Sequence, residues 1–164
     1  MADQSEISTA KEAADNELIV AFGRFQGAAN RLEYILGRAI EDECGISHLM
    51  FEVLLILGRA GGPGLSMRAI SQEKVLTTGG VTRLVDRMVA IGLVERADDP
   101  DDRRGRLLRL TALGEQTAVR ASQIHLENIR RLFVDPLPVA HRARFAEDLR
   151  ILSHTARDAL PRLR

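Results

Sequence analysis

Apolar residues at helical spacing mark both ends of this chain. Near the start they fall three or four positions apart, at Leu18, Phe22, Phe25, Ala29, Leu32, Leu36 and Ala39. Near the end the same spacing recurs at Phe145, Leu149, Leu152, Ala156 and Leu160. Each set shares one face of a helix, and in a lone chain these faces would meet water. We therefore expect long dimerisation helices over 17–44 and, broken at Pro136 and Pro138, over 112–164.

Length and composition favour one domain, or one domain with a helical extension. The chain has 164 residues, of which 45% are hydrophobic, so it can bury a core. No apolar run approaches the roughly 20 residues that span a bilayer. Residues 1–16 show no periodic apolar face and lack the basic and apolar regions of a signal peptide, so we expect a flexible leader and a cytoplasmic protein. The single cysteine, Cys44, excludes an internal disulfide.

The charges are distributed unevenly. The chain holds 23 basic and 23 acidic residues, and a net charge of zero taken alone disfavours a nucleic-acid partner. However, residues 1–20 carry five acids against one lysine, whereas residues 66–164 carry eighteen basic residues against thirteen acids. The negative charge of residues 1–20 thus offsets the net positive charge of residues 66–164. Most of the cations are arginines, which suit bidentate contacts to phosphate or guanine, although a GC-rich genome gives the same bias.

The middle of the chain, 45–111, has the element order of a winged helix-turn-helix. Glycine stops follow Cys44 and Ile91, and Ser47, Ser66 and Thr77 are candidate N-caps of three successive helices. Two strand-like runs joined by a charged loop come next, and then Thr111 caps another helix. We predict a mainly α fold in which a two-stranded β-wing follows the helix-turn-helix, with dimerisation helices on either side.

The second helix of this motif, expected over 77–92, has two different faces. One face carries the apolar residues Val81, Leu84, Val85 and Met88. The other carries short side chains that donate hydrogen bonds, and arginines. Because an α-helix fits the major groove, we assign DNA contacts to this polar face and to the charged loop. The assigned residues are Thr77, Thr78, Gly79, Gly80, Thr82, Arg83, Asp86, Arg87, Asp102, Arg103, Arg104 and Arg106. Gly79 and Gly80 would let the helix N-terminus approach a phosphate closely, or are merely tolerated in a capped first turn.

Residues 81–114 resemble the MarR family of bacterial transcriptional regulators. The family signature is Asp, any residue, Arg, five residues and Leu-Thr, and Asp102, Arg104, Leu110 and Thr111 match it. The helix order extends the resemblance over about 17–160. It implies that Arg104 enters the minor groove, positioned by Asp102, and that the protein is an obligate homodimer on a pseudo-palindromic double-stranded operator. It also implies a repressor released by a small organic effector, and the lack of tryptophan disfavours the branch that senses urate-like purines.

For that effector we consider one set of mainly apolar candidates with polar anchors. It comprises Phe25, Tyr34, His48, Met50, Phe51, Leu54 and Arg59. Members of the family commonly bind phenolic or other lipophilic compounds between the dimer helices and the winged domain. Ordinary core packing explains each of these residues singly as well.

Three other functions stay open. In a metal-responsive regulator, the ligands would be Glu41, Glu43, Cys44 and His48, together with His125. These residues lack a compact ligand spacing, and we expect no metal or other cofactor. In a redox-responsive one Cys44 would be the sensor, but its flanking acids should raise its thiol pKa. A winged helix can also serve protein contacts alone. We expect no enzyme and no membrane partner, since no nucleophile-base pair or phosphate loop is visible.

Overall fold

The computed structural model describes residues 7–74, 78–99 and 105–160, and these are mostly helical. The elements in chain order are α1 (Ala10–Asp15), α2 (Glu17–Cys44), α3 (His48–Ala60), β1 (Leu65–Ser66), α4 (Met67–Lys74), α5 (Thr78–Ala90), β2 (Val94–Asp98), β3 (Arg106–Leu110), α6 (Ala112–Ile129), a π-helical segment (Arg130–Val134) and α7 (Val139–Ala159). The predicted fold class, mainly α with a winged helix-turn-helix, is confirmed. Among these described helices, none is long and apolar enough to cross a membrane.

A short helix, α1, lies inside the segment that the sequence assigned to a flexible leader. Thr9 Oγ1 accepts the amide of Glu12 at 3.2 Å, and the Glu12 carboxylate accepts the amide of Thr9 at 3.2 Å. This capping box satisfies two amides that a helix start otherwise leaves unpaired. No helix was predicted within residues 1–16, and the structure places one at Ala10–Asp15; the flexibility of this segment stays a prediction. A six-residue helix is too short to show apolar periodicity, and the Thr-x-x-Glu spacing was the available signal.

The core lies where the end of α2 meets α3, α4, α5 and the sheet. Its largest fully buried side chains are Phe51, Ile40, Met50, Leu54, Ile70, Met88, Leu108, Val53, Val81 and Val85. The sharp turn from α2 into α3 is built by residues that the sequence marked. Gly45 ends α2 with φ 68°, which glycine adopts without steric cost, and Ser47 Oγ accepts the amide of Met50 at 3.3 Å.

Within the described residues the sheet has three antiparallel strands in the order β1-β3-β2. The wing strands β2 and β3 were predicted, whereas β1 is additional and pairs only Leu65 and Ser66 with β3. The turn before β1 runs close against β3. Gly64 has φ 85°, and a Cβ there would lie 2.3 Å from the carbonyl oxygen of Leu108. Arg109 Nε fixes the same turn by donating to the carbonyl of Pro63 at 3.0 Å.

The chain divides into two compact units, Met1–Ile124 and His125–Arg164, so the boundary falls inside α6. Ala118 and Ala121 are buried in the core of the first unit. Residues 112–124, which the sequence grouped with the C-terminal dimerisation helices, therefore pack with the winged helix-turn-helix. In the second unit Arg142 secures the turn before α7, donating to the carbonyls of Leu137 at 3.0 Å and Asp135 at 3.3 Å.

Candidate nucleic-acid interface

Helix α5 packs one face into the core. Val81, Val85 and Met88 are each 0% exposed, and Leu84 packs half-buried against the same core. These four residues lie three, one and three positions apart, which keeps them on one side of a helix with 3.6 residues per turn. This burial fixes the rotation of α5 about its axis, so the opposite face is held toward solvent.

That opposite face exposes the side chains predicted to contact DNA. Thr82, Arg83, Asp86 and Arg87 are all exposed, as is Gly80. The backbone of Thr78 and Gly79 forms the first turn of α5, and Thr77 lies outside the described residues. Asp86 does not simply face solvent, because its Oδ1 accepts a hydrogen bond from Arg96 Nη2 of β2.

The C-terminal end of α5 is tied to both the wing and α6. Gly92 has φ 76°, with its amide bonded to Val89 O at 3.0 Å and the Leu93 amide to Met88 O at 2.9 Å, which is the Schellman arrangement. Thr111 Oγ1 donates to Gly92 O at 2.6 Å and accepts the amide of Gly114 at 3.0 Å. One threonine hydroxyl thus joins the end of α5 to the start of α6.

Strands β2 and β3 form a hairpin beside α5, with Val94 opposite Leu110 and Asp98 opposite Arg106. Arg106 was predicted to contact DNA, and its side chain is exposed but forms an ion pair with its cross-strand partner Asp98. The amide of Asp99 bonds to Gly105 O at 3.4 Å where the hairpin nears its tip. Asp102, Arg103 and Arg104, the other predicted wing contacts, lie outside the described residues.

Comparison with known proteins agrees with this geometry. Residues 45–105 match the family model described as MarR family. Over 124 residues the chain is 31% identical to the multiple antibiotic resistance protein MarR of Salmonella typhimurium, and the alignment covers 71% of this chain and 83% of that protein. The chain belongs to the MarR family.

Two further likenesses show the extent of this MarR relationship. The transcriptional regulator PrsX of Escherichia coli is 34% identical over 88 residues, covering 52% of this chain and 53% of PrsX. The chain therefore spans about half the length of that relative. The crystal structure of Sco3205, a MarR family transcriptional regulator from Streptomyces coelicolor in complex with DNA, has a TM-score of 0.74 at 25% identity, covering 93% of this chain and 92% of that one.

The structure does not gather the candidate effector residues of this MarR chain into one cavity. Tyr34 and His48 line an open groove of about 440 Å³ between α2 and the start of α3, whereas Arg59 lines a separate hollow of about 270 Å³. Phe25 is half-exposed on α2. Met50, Phe51 and Leu54, by contrast, are at most 1% exposed in the protomer core. This burial fits the alternative of core packing for these three residues, and their part in binding an effector stays a prediction.

The groove with Tyr34 and His48 is lined elsewhere by mostly polar residues. These are Asn30, Glu33, Arg38, Glu41 and Ser47, together with Gly37. Arg38 donates to Glu41 at 2.9 Å and to Asp42 at 2.8 Å, so its guanidinium is held in place along α2. The groove therefore combines an exposed phenol ring, an imidazole, the carboxylates of Glu33 and Glu41, and an arginine whose charge is compensated by Glu41 and Asp42.

Cys44 has the properties of a packed thiol. Burial raises its pKa above the ordinary 9.0, Arg120 opposes this and Glu43 adds to it. The predicted direction is confirmed, although burial rather than the flanking acid is the largest cause. Because the thiolate is the form that attacks a peroxide, a raised pKa disfavours redox sensing. In the part of the chain that the structure describes, no three His, Cys, Asp or Glu side chains are grouped to hold a metal ion.

Arg96 is a residue of this surface that the sequence did not point to. The wing cations were assigned to the loop tip alone, whereas Arg96 lies on the strand that leads there. The signal was the alternation along β2: Val94 is buried, so residue 96, two positions on, lies on the same face as Val94. That placement brings Arg96 to the flank of α5.

Proposed function

We propose that this chain is a transcriptional regulator that binds double-stranded DNA as a homodimer. The observation that carries the proposal is the orientation of α5, whose apolar face is buried while Thr82, Arg83 and Arg87 face solvent beside the hairpin β2–β3. A helix presented in this way fits the major groove, and a hairpin beside it can follow the adjoining backbone. The likeness to Sco3205, solved in complex with DNA, supports the same interpretation.

The homodimer is supported by the end helices. On α2 the exposed apolar side chains include Leu18, Ile19, Phe22 and Phe25, of which Leu18 is 79% exposed. On α7 the residues Val139, Ile151 and Leu152 are exposed as well. Clusters of this kind mark protein interfaces. A symmetric pair would present two α5 helices, and we expect a pseudo-palindromic operator with half-site centres one helical turn apart, about 10 base pairs.

Arginine substitutions test DNA binding. We expect Arg83→Ala on α5 to weaken operator binding by about 1–3 kcal/mol, and Arg104→Ala in the wing loop by more than about 1 kcal/mol. The matched control is Arg144→Ala, which removes one exposed arginine from α7. Fluorescence anisotropy titrations at fixed salt measure all three. Equal affinity of Arg83→Ala and Arg144→Ala for the operator would contradict the proposed role of α5. A wild-type protein that binds no DNA would favour a protein-interaction module.

We further propose that DNA binding is repressive and is relieved by a small organic effector in the groove of Tyr34 and His48. A volume of about 440 Å³ suits a small aromatic acid, and the phenol and the imidazole could orient a carboxylate or hydroxyl. The probe is 2-hydroxybenzoate, titrated into the protein–operator complex. We expect it to release the wild-type protein and to release Tyr34→Ala and His48→Ala at least tenfold less effectively.

Arg59→Ala is the matched control for the effector, because Arg59 lines a different hollow. Its response to 2-hydroxybenzoate should equal that of the wild type. If Arg59→Ala loses the response while Tyr34→Ala and His48→Ala keep it, the groove assignment is wrong. A reporter gene placed behind the operator determines the sign of regulation, and expression that rises on deletion of the regulator gene is the result expected of a repressor.

A further inference from the structure

We propose that Asp86 is a positioning residue, and that it holds the guanidinium of Arg96 where it contacts a phosphate of the bound duplex. The sequence places Asp86 among the DNA-contacting residues of α5 and does not point to Arg96. The inference rests on the proposed function, because it names a contact at the same interface. It gives Asp86 a positioning role in place of a direct DNA contact, and it adds Arg96 to the residues that contact DNA.

The contact joins two elements of the winged helix. Arg96 Nη2 of β2 donates to Asp86 Oδ1 of α5, ten positions away in sequence. Both side chains stay accessible, at 43% for Arg96 and 55% for Asp86. Val94 packs into the core, so the alternation of β2 places Arg96 on the same face but beyond the core's edge. There it reaches the flank of α5 from which Thr82 and Arg83 also project.

Electrostatics explains why an acid is present on this face. Asp86 follows Thr82 by four positions and Arg83 by three, so it lies on the surface that we propose meets DNA. A lone carboxylate there would repel phosphates. Paired with Arg96, its charge is compensated and it orients the guanidinium. A guanidinium has five N–H donors, so one bond to a carboxylate leaves others for a phosphate oxygen.

The ion pair between Asp86 and Arg96 contributes little to folding stability. Ion pairs this exposed contribute little, because water screens the charges and two long side chains lose freedom. The core beneath, formed by Val85, Met88 and Val94, already fixes β2 against α5. The pair therefore affects the surface, where it sets the position of a cation at the junction of the helix and the wing.

The sign of one substitution effect tests the proposal. The probe is the duplex that the wild-type protein enriches from random double-stranded DNA, titrated at several salt concentrations. Removing an acid from a DNA-facing surface should by charge alone tighten binding. We expect Asp86→Asn instead to weaken binding about fivefold. Arg96→Ala should weaken it at least as much and lower the slope of log affinity against log salt by about one.

The double variant and a matched control complete the test. Asp86→Asn combined with Arg96→Ala should bind no more weakly than Arg96→Ala alone, because Asp86 acts through Arg96. The control is Glu95→Gln, an exposed acid one position away on the other face of β2, which should bind unchanged or slightly more tightly. Thermal melting should show all variants folded, as expected for exposed positions.

Three results would overturn the proposal. The first is an Asp86→Asn protein that binds as well as the wild type or more tightly. The second is a double variant in which the effects of Asp86→Asn and Arg96→Ala multiply, and the third is an Arg96→Ala protein with an unchanged salt slope. Each of these leaves the proposed DNA-binding function intact, since the wild type still binds. A wild-type protein that enriches no duplex overturns both.

Discussion

Thr111 offers the sharpest test of how the winged helix is assembled. Its hydroxyl accepts the amide of Gly114 at 3.0 Å, which caps α6, and donates to Gly92 O at 2.6 Å, which closes the end of α5. Loss of an N-cap costs about 1 kcal/mol, and loss of a hydrogen bond to a carbonyl about another 1 kcal/mol. Thr111→Val keeps the shape and removes both bonds, so we expect it to lower the free energy of unfolding by about 2 kcal/mol.

The assay is urea unfolding followed by circular dichroism, at one fixed protein concentration because association contributes to apparent stability. For a chain of this size, about 2 kcal/mol corresponds to a fall in Tm of about 4–8 °C. Thr111→Ser is the matched control, since it keeps the hydroxyl and loses one methyl group, at most about 0.8 kcal/mol. A Thr111→Val protein within about 0.5 kcal/mol of the wild type, or a Thr111→Ser protein as destabilised as Thr111→Val, would show that the two hydrogen bonds of this hydroxyl do not stabilise the fold.

Two further predictions concern the turn before β1 and Cys44. Gly64→Ala should destabilise the fold by at least about 2 kcal/mol, since φ is 85° and the new Cβ would meet Leu108 O. The control Gly62→Ala, where the added Cβ meets open space, should leave the stability unchanged. Equal melting temperatures of the two variants would contradict this expectation. The alkylation rate of folded Cys44 should rise with a midpoint at higher pH than that of the urea-unfolded chain, and folding stability should fall as pH rises past the unfolded midpoint, because the folded thiol keeps its proton where the unfolded one loses it. A midpoint at or below that of the unfolded chain would contradict the burial of this thiol.

Much of this fold could be predicted because its helix ends are set by local chemistry. Ser47, Ser66 and Thr111 all cap the helices that the sequence assigned to them, and Ser66 Oγ accepts the amide of Ala69 at 3.2 Å. Gly45 and Gly92 end helices with positive φ, as expected. Each of these features needs only residues within a few positions of one another, so the sequence alone is sufficient.

Features that depend on distant partners were not predictable in the same way. Strand β1 has two residues and exists only because β3 pairs with it. The sequence cannot distinguish Met50 and Phe51 as core residues from pocket residues, since a core position and a cavity lining require the same apolar side chains. The contact between Asp86 and Arg96 depends on the packing of β2 against α5, which no local pattern specifies.

Among the predicted DNA-contacting residues, some positions follow from local sequence and others depend on distant partners. The exposure of Arg83 and Arg87 follows from the periodicity of α5 and was predictable. Arg106, by contrast, pairs with Asp98 through the register of the hairpin, and this register could not be derived from a loop of uncertain length.

We propose that α5 and the hairpin of this MarR-family chain read double-stranded DNA as a symmetric pair. Selection from a random double-stranded library with the purified protein tests it directly, because the library offers every candidate operator at once. We predict enrichment of an inverted repeat whose half-site centres lie about 10 base pairs apart, bound by two chains. Failure to enrich any sequence, or enrichment of a single half-site bound by one chain, would contradict the claim.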